Sequence, residues 1–381
     1  MAFTAIAVLS LAAWLYLFLL RGAFWHADER LNVKQVNAMS LPTVAVVIPA
    51  RNEEETITGT VRGLLRQDYP VPFSIIVVDD NSNDGTADAA RGAALTDAEK
   101  TRLSVVSGAP LADGWAGKMW AVKQGIDAAP ESDYLLLTDA DIDHDPALLS
   151  NLVAKAEGEG MRLVSLMVKL QCRSFWERLL IPAFVYYFQK LYPFPWVNDS
   201  SRKEAAAAGG CMLVHRRTLE EAGGIDAIHD KVIDDCALAA LIKPLGPIWL
   251  GLAERTESSR AYAALGEIWR MVARTAYLQL RHNPLVLLAA VVGMSVLYVV
   301  PPLAMVVGLV SASLVWMGLG FAAWTVMAWT YLPTLELYRL SPIWALALPL
   351  AGLMFTLMTI DSARRHYMRT DGQWKGRRYG V

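Results

Sequence analysis

The sequence predicts an α/β domain with a Rossmann-like, mostly parallel sheet, set between an N-terminal transmembrane anchor and a C-terminal helical membrane region. Three observations predict it. Between residues 41 and 283, short β-branched or leucine-rich runs alternate with helical stretches, the pattern of strands joined by right-handed crossovers. Long apolar runs stand at both ends of the chain. Composition is divided in the same sense. With 54% hydrophobic residues and a mean hydropathy of +0.31 the chain is too apolar for an ordinary soluble domain. Its 19% of charged residues are too many for a chain lying wholly in lipid.

A formal net charge of −2 leaves no electrostatic footprint for nucleic acid, and no nucleic-acid partner is expected. Cys172, Cys211 and Cys236 are odd in number and lack CxxC or zinc spacing. Reduced thiols facing a cytosol are expected rather than a disulfide framework.

Ala2 to Leu20 is apolar and uncharged, and at about 1.5 Å per residue it can just cross a bilayer core. It lacks the basic leader and short apolar core of a cleaved signal peptide, so residues 1–21 are read as an uncleaved anchor. Arg21, Arg30 and Lys34 place the following domain on the cytosolic side, with Phe24 and Trp25 at the interface.

Thr43 to Pro49 reads as the first strand, followed by Ala50-Arg-Asn-Glu-Glu-Glu-Thr56. Asn52 is expected to cap the next helix, with the three glutamates at its N-terminus. Phe73 to Asp79 is a second strand ending in Asp79-Asp-Asn-Ser-Asn-Asp-Gly-Thr86, and Leu103 to Val106 a third. No GxGxxG follows the first strand, so a dinucleotide fingerprint is absent. Arg51 and the pair Asp79–Asp80 stand in its place. Carboxylates cannot cradle phosphate, but they accept hydrogen bonds from a base N–H or from ribose hydroxyls. The alternative is that each acid caps a helix.

Gly114-Trp-Ala-Gly-Lys-Met-Trp120 is a glycine-punctuated loop in which Lys118 leads a short helix. Lys118 is suited to neutralising a diphosphate; its bland alternative is a surface lysine. Trp115 and Trp120 serve either as core or as sugar-stacking residues.

A fourth strand, Tyr134 to Thr138, runs straight into Asp139, Asp141, Asp143 and Asp145. These acids fall at the carboxyl end of a strand, where open α/β sheets place ligands. Two carboxylates about 5 Å apart repel by roughly 3 kcal/mol at an effective dielectric near 20. A hard divalent ion would offset that, and a solvated acidic turn is the alternative. On the residues alone all four acids are equal candidates for the site.

Downstream come a strand at Arg162 to Val168, an aromatic stretch from Phe175 to Trp196, and a small-residue loop at Ala205–Gly210 entering another strand. The aromatic stretch (175–197) suits an interfacial helix or the core of an aromatic subdomain. The small residues permit close approach of backbone to ligand. Asp234 and Asp235 open a further helical run, a position where a carboxylate can be held as a general base. The sheet domain is placed at 41–283.

Residues 285–361 hold the membrane helices: Leu285 to about Val310 and Ser311 to Leu332, interrupted near Pro301-Pro302, then Ile343 to Ile360. Residues 362–381 form a basic tail with Arg364, Arg365, Arg369, Lys375, Arg377 and Arg378. A basic tail should stay cytosolic, yet three spans after a cytosolic domain place it outside. Either Ile343–Ile360 is re-entrant, or Leu285–Leu332 is one span plus an interfacial piece, or the charge rule fails.

Val47-Ile-Pro-Ala-Arg-Asn-Glu53, Val78 to Thr86, Asp139-Ala-Asp141 and Asp234-Asp235 together resemble, in order, the motifs of family 2 glycosyltransferases with a GT-A fold. More narrowly, Gly114-Trp-Ala-Gly-Lys118, Leu136 to Ile142, Leu180 to Phe184, Ala205 to Met212 and Ile233 to Ala237 resemble the hopene-associated glycosyltransferases of bacterial hopanoid biosynthesis. The resemblance implies a hexosyltransferase-type enzyme with a nucleotide-diphosphate sugar donor, taken as a UDP-sugar, and a lipid acceptor. It also implies a multi-pass protein of the bacterial inner membrane with a cytoplasmic catalytic domain. Pro49, Ala50, Arg51, Glu53, Asp79 and Asp80 would contact the nucleoside, Asp139 the ribose or sugar, and Lys118 the diphosphate. Asp141 would hold Mg²⁺ or Mn²⁺, and Asp235, beside Asp234, would be the catalytic base. The related processive synthases carry Glu where Asp234 stands and a QxxRW motif. Here only Arg270, Arg274 and Gln279-Leu-Arg281 stand as loose substitutes, so transfer of a single sugar is expected. The alternatives are a polyprenyl-phosphate sugar transferase and, outside enzymes, a sugar-nucleotide-binding membrane scaffold.

Overall fold

The computed structural model describes residues 1–31 and 41–368, and the backbone of 373–374 and 377–378. Lys34, Arg369 and Lys375 lie outside the described residues. The chain divides into two compact units: residues 1–27, 172–195 and 262–372 form one, and 28–171, 196–261 and 373–381 the other.

The second unit is built on a mixed eight-stranded sheet. Its strands are β1 (Val44–Ala50), β2 (Ser74–Asp79), β3 (Leu103–Ser107), β4 (Tyr134–Thr138), β5 (Ile142–Asp143), β6 (Leu163–Lys169), β7 (Cys211–His215) and β8 (Ile248–Ser258). Their order is β3-β2-β1-β4-β7-β6-β8-β5. The strands β3, β2, β1 and β4 run parallel, and β7 is antiparallel to both β4 and β6. Every residue of β1 and β4 is buried, as expected for strands covered by helices on both faces. The register sets Ala50 opposite Asp79, so two of the predicted motifs end side by side.

Two strands of this sheet, β5 and β8, escape the sequence reading. The second half of β8 carries Glu254, Arg255 and Glu257 and does not read as an apolar run. Its pairing with β5 sets Ile142 opposite Ser258 and Asp143 opposite Glu257.

Asn52 does not cap a helix. It adopts a left-handed conformation, with φ of +50°, and its Oδ1 accepts the Asn83 backbone N–H at 2.9 Å. The helix begins only at Ile57 and has no acidic residue in its first turn. Instead the acids of this segment tie two loops together: Glu54 accepts the Gly85 N–H at 3.2 Å, while the Glu53 N–H donates to Thr86 at 2.8 Å.

The first unit is helical. Four of its helices are long and apolar enough to cross a membrane: Ala2–Leu19, Pro284–Val310, Leu314–Leu337 and Pro342–Tyr367. Leu285–Leu332 is therefore two separate helices, each long and apolar enough to cross a membrane. The expected interruption at Pro301-Pro302 is absorbed within a single helix. Pro301 has no N–H for the carbonyl of Leu297, and Trp14 Nε1 donates to that carbonyl at 2.8 Å. Ser10 Oγ donates to the Val296 carbonyl at 2.7 Å, and Ser295–Val299 forms a π-turn. Side chains of a neighbouring helix thus satisfy backbone groups that the apolar surroundings cannot. Close packing of the next pair needs small residues: a Cβ on Gly308 would meet the Met317 nitrogen at 2.3 Å, and one on Gly320 the Pro301 carbonyl at 2.6 Å.

The aromatic stretch forms a helix, Phe175–Leu191, opened by a Ser174–Glu177 capping box. Its rings lie against others of the same unit, Tyr186 on Tyr331 at 5.2 Å and Tyr187 on Phe355 at 4.9 Å. Of the residues weighed as substitutes for the missing diphosphate motif, Gln279 donates to the Tyr192 hydroxyl of the same unit. Two cations of the basic tail, Arg364 and Arg365, bridge to Asp361 at 2.8 and 2.7 Å.

Candidate active site

The carboxyl ends of β1, β2 and β4 gather the predicted residues into two neighbouring clusters. The first centres on Lys118, at the start of the helix Gly117–Ala128. Its Nζ stands 2.9 Å from Asp139 Oδ1 and 3.1 Å from Asp234 Oδ2. Lys118, Asp139, Asp234, Pro49 and Gly209 line one cleft. Burial works against the charged ammonium, but the carboxylates of Asp139 and Asp234 hold its pKa well above the usual lysine range. Lys118 is therefore not a free surface cation; it holds together two acids from separate segments of the chain.

Asp235 sits behind this pair. The helix Asp234–Ile242 starts at the two acids, as the sequence predicts. Asp235 Oδ2 accepts the Gly209 N–H at 3.0 Å and Oδ1 accepts the Cys236 N–H at 2.7 Å. The small-residue loop permits this approach, for a Cβ on Gly209 would meet Lys118 Nζ at 3.2 Å. Burial, then the adjacent Asp234 charge, push the Asp235 carboxyl up to about 6, against the opposing pull of the Cys236 N–H and Lys118. A carboxylate so tuned ionises near neutral pH yet keeps appreciable basicity, which suits a general base.

The second cluster centres on a residue the sequence reading passed over. Arg260 Nε lies 2.7 Å from Asp141 Oδ2, and its NH2 lies 2.5 Å from Glu53 Oε1. Ser258 Oγ, at 3.3 Å, also donates to Asp141 Oδ2. Burial and the nearby Asp139 raise the Asp141 pKa, with Arg260 opposing. No local pattern marks Arg260. Only the β5–β8 pairing brings it back, two residues past β8, to an acid 119 positions earlier.

Just past β2, Asp80 is 0% exposed and turned toward Arg51, 3.9 Å away. Arg51 NH1 also donates to the Asn81 carbonyl at 2.9 Å. In this arrangement the buried pair shapes the wall, and Asp80 has no surface to offer a ligand. Asp79 is half-buried at the strand end and accepts the Ser82 N–H at 3.2 Å. Trp115 and Trp120 pack edge to face at 5.1 Å, each partly exposed. Asp145 accepts the Ala147 N–H at 3.0 Å and bridges to Arg255 at 2.8 Å.

Among the described residues no three His, Cys, Asp or Glu side chains form a ready-made metal cage. Mg²⁺-type ions do not require one; they are commonly held by one or two carboxylates plus substrate phosphate oxygens. The Asp141 carboxylate offers hard oxygen donors and, with Glu53, already gathers around a cationic side chain. The donor set fits such an ion.

Residues 45–223 match the description Glycosyl transferase family 2. The match ends before Asp234, Asp235 and Arg260. Among curated proteins the chain is similar to a probable glycosyltransferase, YdaM, of Bacillus subtilis, at 39% identity over 19% of this chain and 18% of that one. It is also similar to 4,4'-diaponeurosporenoate glycosyltransferase of Staphylococcus aureus, at 31% identity over 36% of this chain and 32% of that one. The chain thus covers less than a third of the length of either relative. Among solved structures, a mannosyltransferase of Pyrobaculum calidifontis in complex with GDP-Man and Mn²⁺ aligns over 97% of this chain and 100% of its own. The TM-score is 0.54 at 20% identity, which shows the fold: the sheet domain is GT-A-like.

Proposed function

We propose that this glycosyltransferase is a membrane-bound, inverting enzyme that moves one sugar from a nucleotide-diphosphate donor to the hydroxyl of a lipid, with hopanoids as the acceptor class that the sequence motifs suggest. One observation carries the reading: a lysine-bridged set of acids, with a raised-pKa carboxyl behind it, stands in a chain whose residues 45–223 match family 2 and whose described residues include four apolar helices. The Staphylococcus relative, named for diaponeurosporenoate, and the GDP-Man complex of the Pyrobaculum protein support a lipid acceptor and a sugar-nucleotide donor.

Glu53 and Asp79 face the nucleoside, on a wall that the buried Pro49, Ala50, Arg51 and Asp80 hold in shape. Asp139 receives the ribose or sugar. Lys118 holds Asp139 and Asp234 in place and supplies positive charge to the cleft that takes the donor. Asp235 accepts the proton of the acceptor hydroxyl as that oxygen attacks the anomeric carbon and the nucleoside diphosphate leaves from the opposite face. Asp141, with Asp139 beside it, would hold Mg²⁺ or Mn²⁺, which when bound neutralises the negative charge of the leaving diphosphate. The sheet unit is the catalytic part on the cytoplasmic side of the bacterial inner membrane, and the apolar helices bring it to its acceptor.

The raised Asp235 pKa favours a hydroxyl over a lipid phosphate as acceptor, since a phosphate needs no strong base. A screen of labelled UDP- and GDP-sugars, using the full chain in hopanoid-containing membranes, tests this by mass spectrometry of the lipids. A glycolipid stable to mild acid is expected. An acid-labile glycosyl phosphate would instead identify a polyprenyl-phosphate transferase.

Two further outcomes follow from the charges. Asp235 acts as a base only when ionised, so kcat should be flat above its pKa. Below pH 6 kcat should fall by about tenfold per pH unit; a profile unchanged down to pH 4.5 would remove Asp235 from proton transfer. EDTA should lower turnover by about a hundredfold or more, restored by Mn²⁺ or Mg²⁺.

A further inference from the structure

We propose that Arg260 is a built-in stand-in for the divalent cation, latching Glu53 to Asp141 and yielding Asp141 only when metal and nucleoside diphosphate arrive together. The inference rests on the reading of Asp141 as a metal-holding residue and adds to it a residue, a competitor and a coupling.

The guanidinium spans two carboxylates with two separate nitrogens, Nε on Asp141 at 2.7 Å and NH2 on Glu53 at 2.5 Å. Charge-assisted contacts of this length are among the stronger hydrogen bonds in proteins. Both carboxylates are largely screened from water, each with side-chain exposure of 12%, whereas Arg260 is 32% exposed. The acids are therefore fixed parts of the wall, and the arginine is the member with room to move. Without a cation between them, Glu53, Asp141 and the neighbouring Asp139 would repel one another with little solvent to screen them. A metal ion must displace the guanidinium from Asp141 to use its oxygens, so bare metal meets a competitor already in place.

A nucleoside diphosphate changes that balance. Its oxygens complete the metal's coordination and give the displaced guanidinium a new anion, to which arginine is geometrically matched. Metal and nucleotide then each favour the other's binding. By linkage the coupling is the same whichever binds first.

The test is Mn²⁺ binding, followed by EPR on the detergent-solubilised full chain, with and without UDP and, separately, GDP. In the unmodified protein, Mn²⁺ should bind weakly alone and markedly more tightly with a nucleotide. Arg260→Gln should raise Mn²⁺ affinity without nucleotide by about tenfold or more and shrink the nucleotide-induced gain by a similar factor. Arg260→Lys, which keeps the charge but loses the two-nitrogen fork, should lie between. Adding Asp141→Asn to Arg260→Gln should abolish the gained binding, which locates the ion. An unchanged Mn²⁺ affinity in Arg260→Gln, with the nucleotide effect intact, overturns the latch while leaving the metal reading standing. Absence of Mn²⁺ binding in every variant, with or without nucleotide, overturns both.

Discussion

Replacing Asp235 by Asn is expected to lower kcat by about 10²–10⁴-fold, the usual contribution of a positioned general base, while donor affinity changes little. The side chain has the same outline, so the contacts to Gly209 and Cys236 decide whether it sits alike. Asp235 accepts both backbone N–H groups. An amide can present its oxygen to only one of them, and local rearrangement would follow. The Asp235→Glu variant separates the two effects: it restores a carboxylate while moving it by one methylene. Partial recovery of kcat in Glu but not in Asn assigns the loss to proton transfer. Equal loss in both, with donor binding weakened in parallel, would assign it to the shape of the loop.

Replacing Lys118 by Met is expected to cost about 10²–10³ in kcat/KM, comparable to deleting one preorganised charge from an active site. The side chain keeps roughly the same length, so what is lost is the charge between Asp139 and Asp234. Leaving buried acids without their counter-charge is more costly than the pair is worth. Arg in place of Lys118 is not a mild change. The ammonium is a compact charge fitted between two acids and the Gly209 backbone, and a planar guanidinium needs more room. Full activity in Lys118→Met would show that Asp139 and Asp234 are only a structural pair.

The parts of this site legible in the sequence are those written into single strands and their ends. Val44–Ala50, Ser74–Asp79 and Tyr134–Thr138 are strands because their β-branched or leucine-rich runs are short and bounded, and their acids follow at the carboxyl ends. What needs pairing between distant segments is not written locally. Arg260 enters the site only through the antiparallel match of β5 to the charged half of β8. Asp80 looked like an equal partner of Asp79, yet one position along the chain reverses the direction of the side chain and buries it against Arg51. Asn52 has the composition of a helix cap, but its side chain serves the neighbouring loop instead. Pro301-Pro302 reads as a break because propensity counts the lost N–H groups and cannot see Trp14 and Ser10 arriving from the far end of the chain.

The central claim, transfer of a sugar from a nucleotide to a lipid by base catalysis at Asp235, has one direct test. The full chain in lipid vesicles, with a hopanoid acceptor, is incubated with UDP- and GDP-sugars labelled in the sugar, and label is followed into the lipid extract. Time-dependent labelling with one donor, reduced at least a hundredfold by Asp235→Asn, is the predicted result. Donor bound but no label entering lipid from either nucleotide series, or equal labelling by the Asn variant, would contradict it.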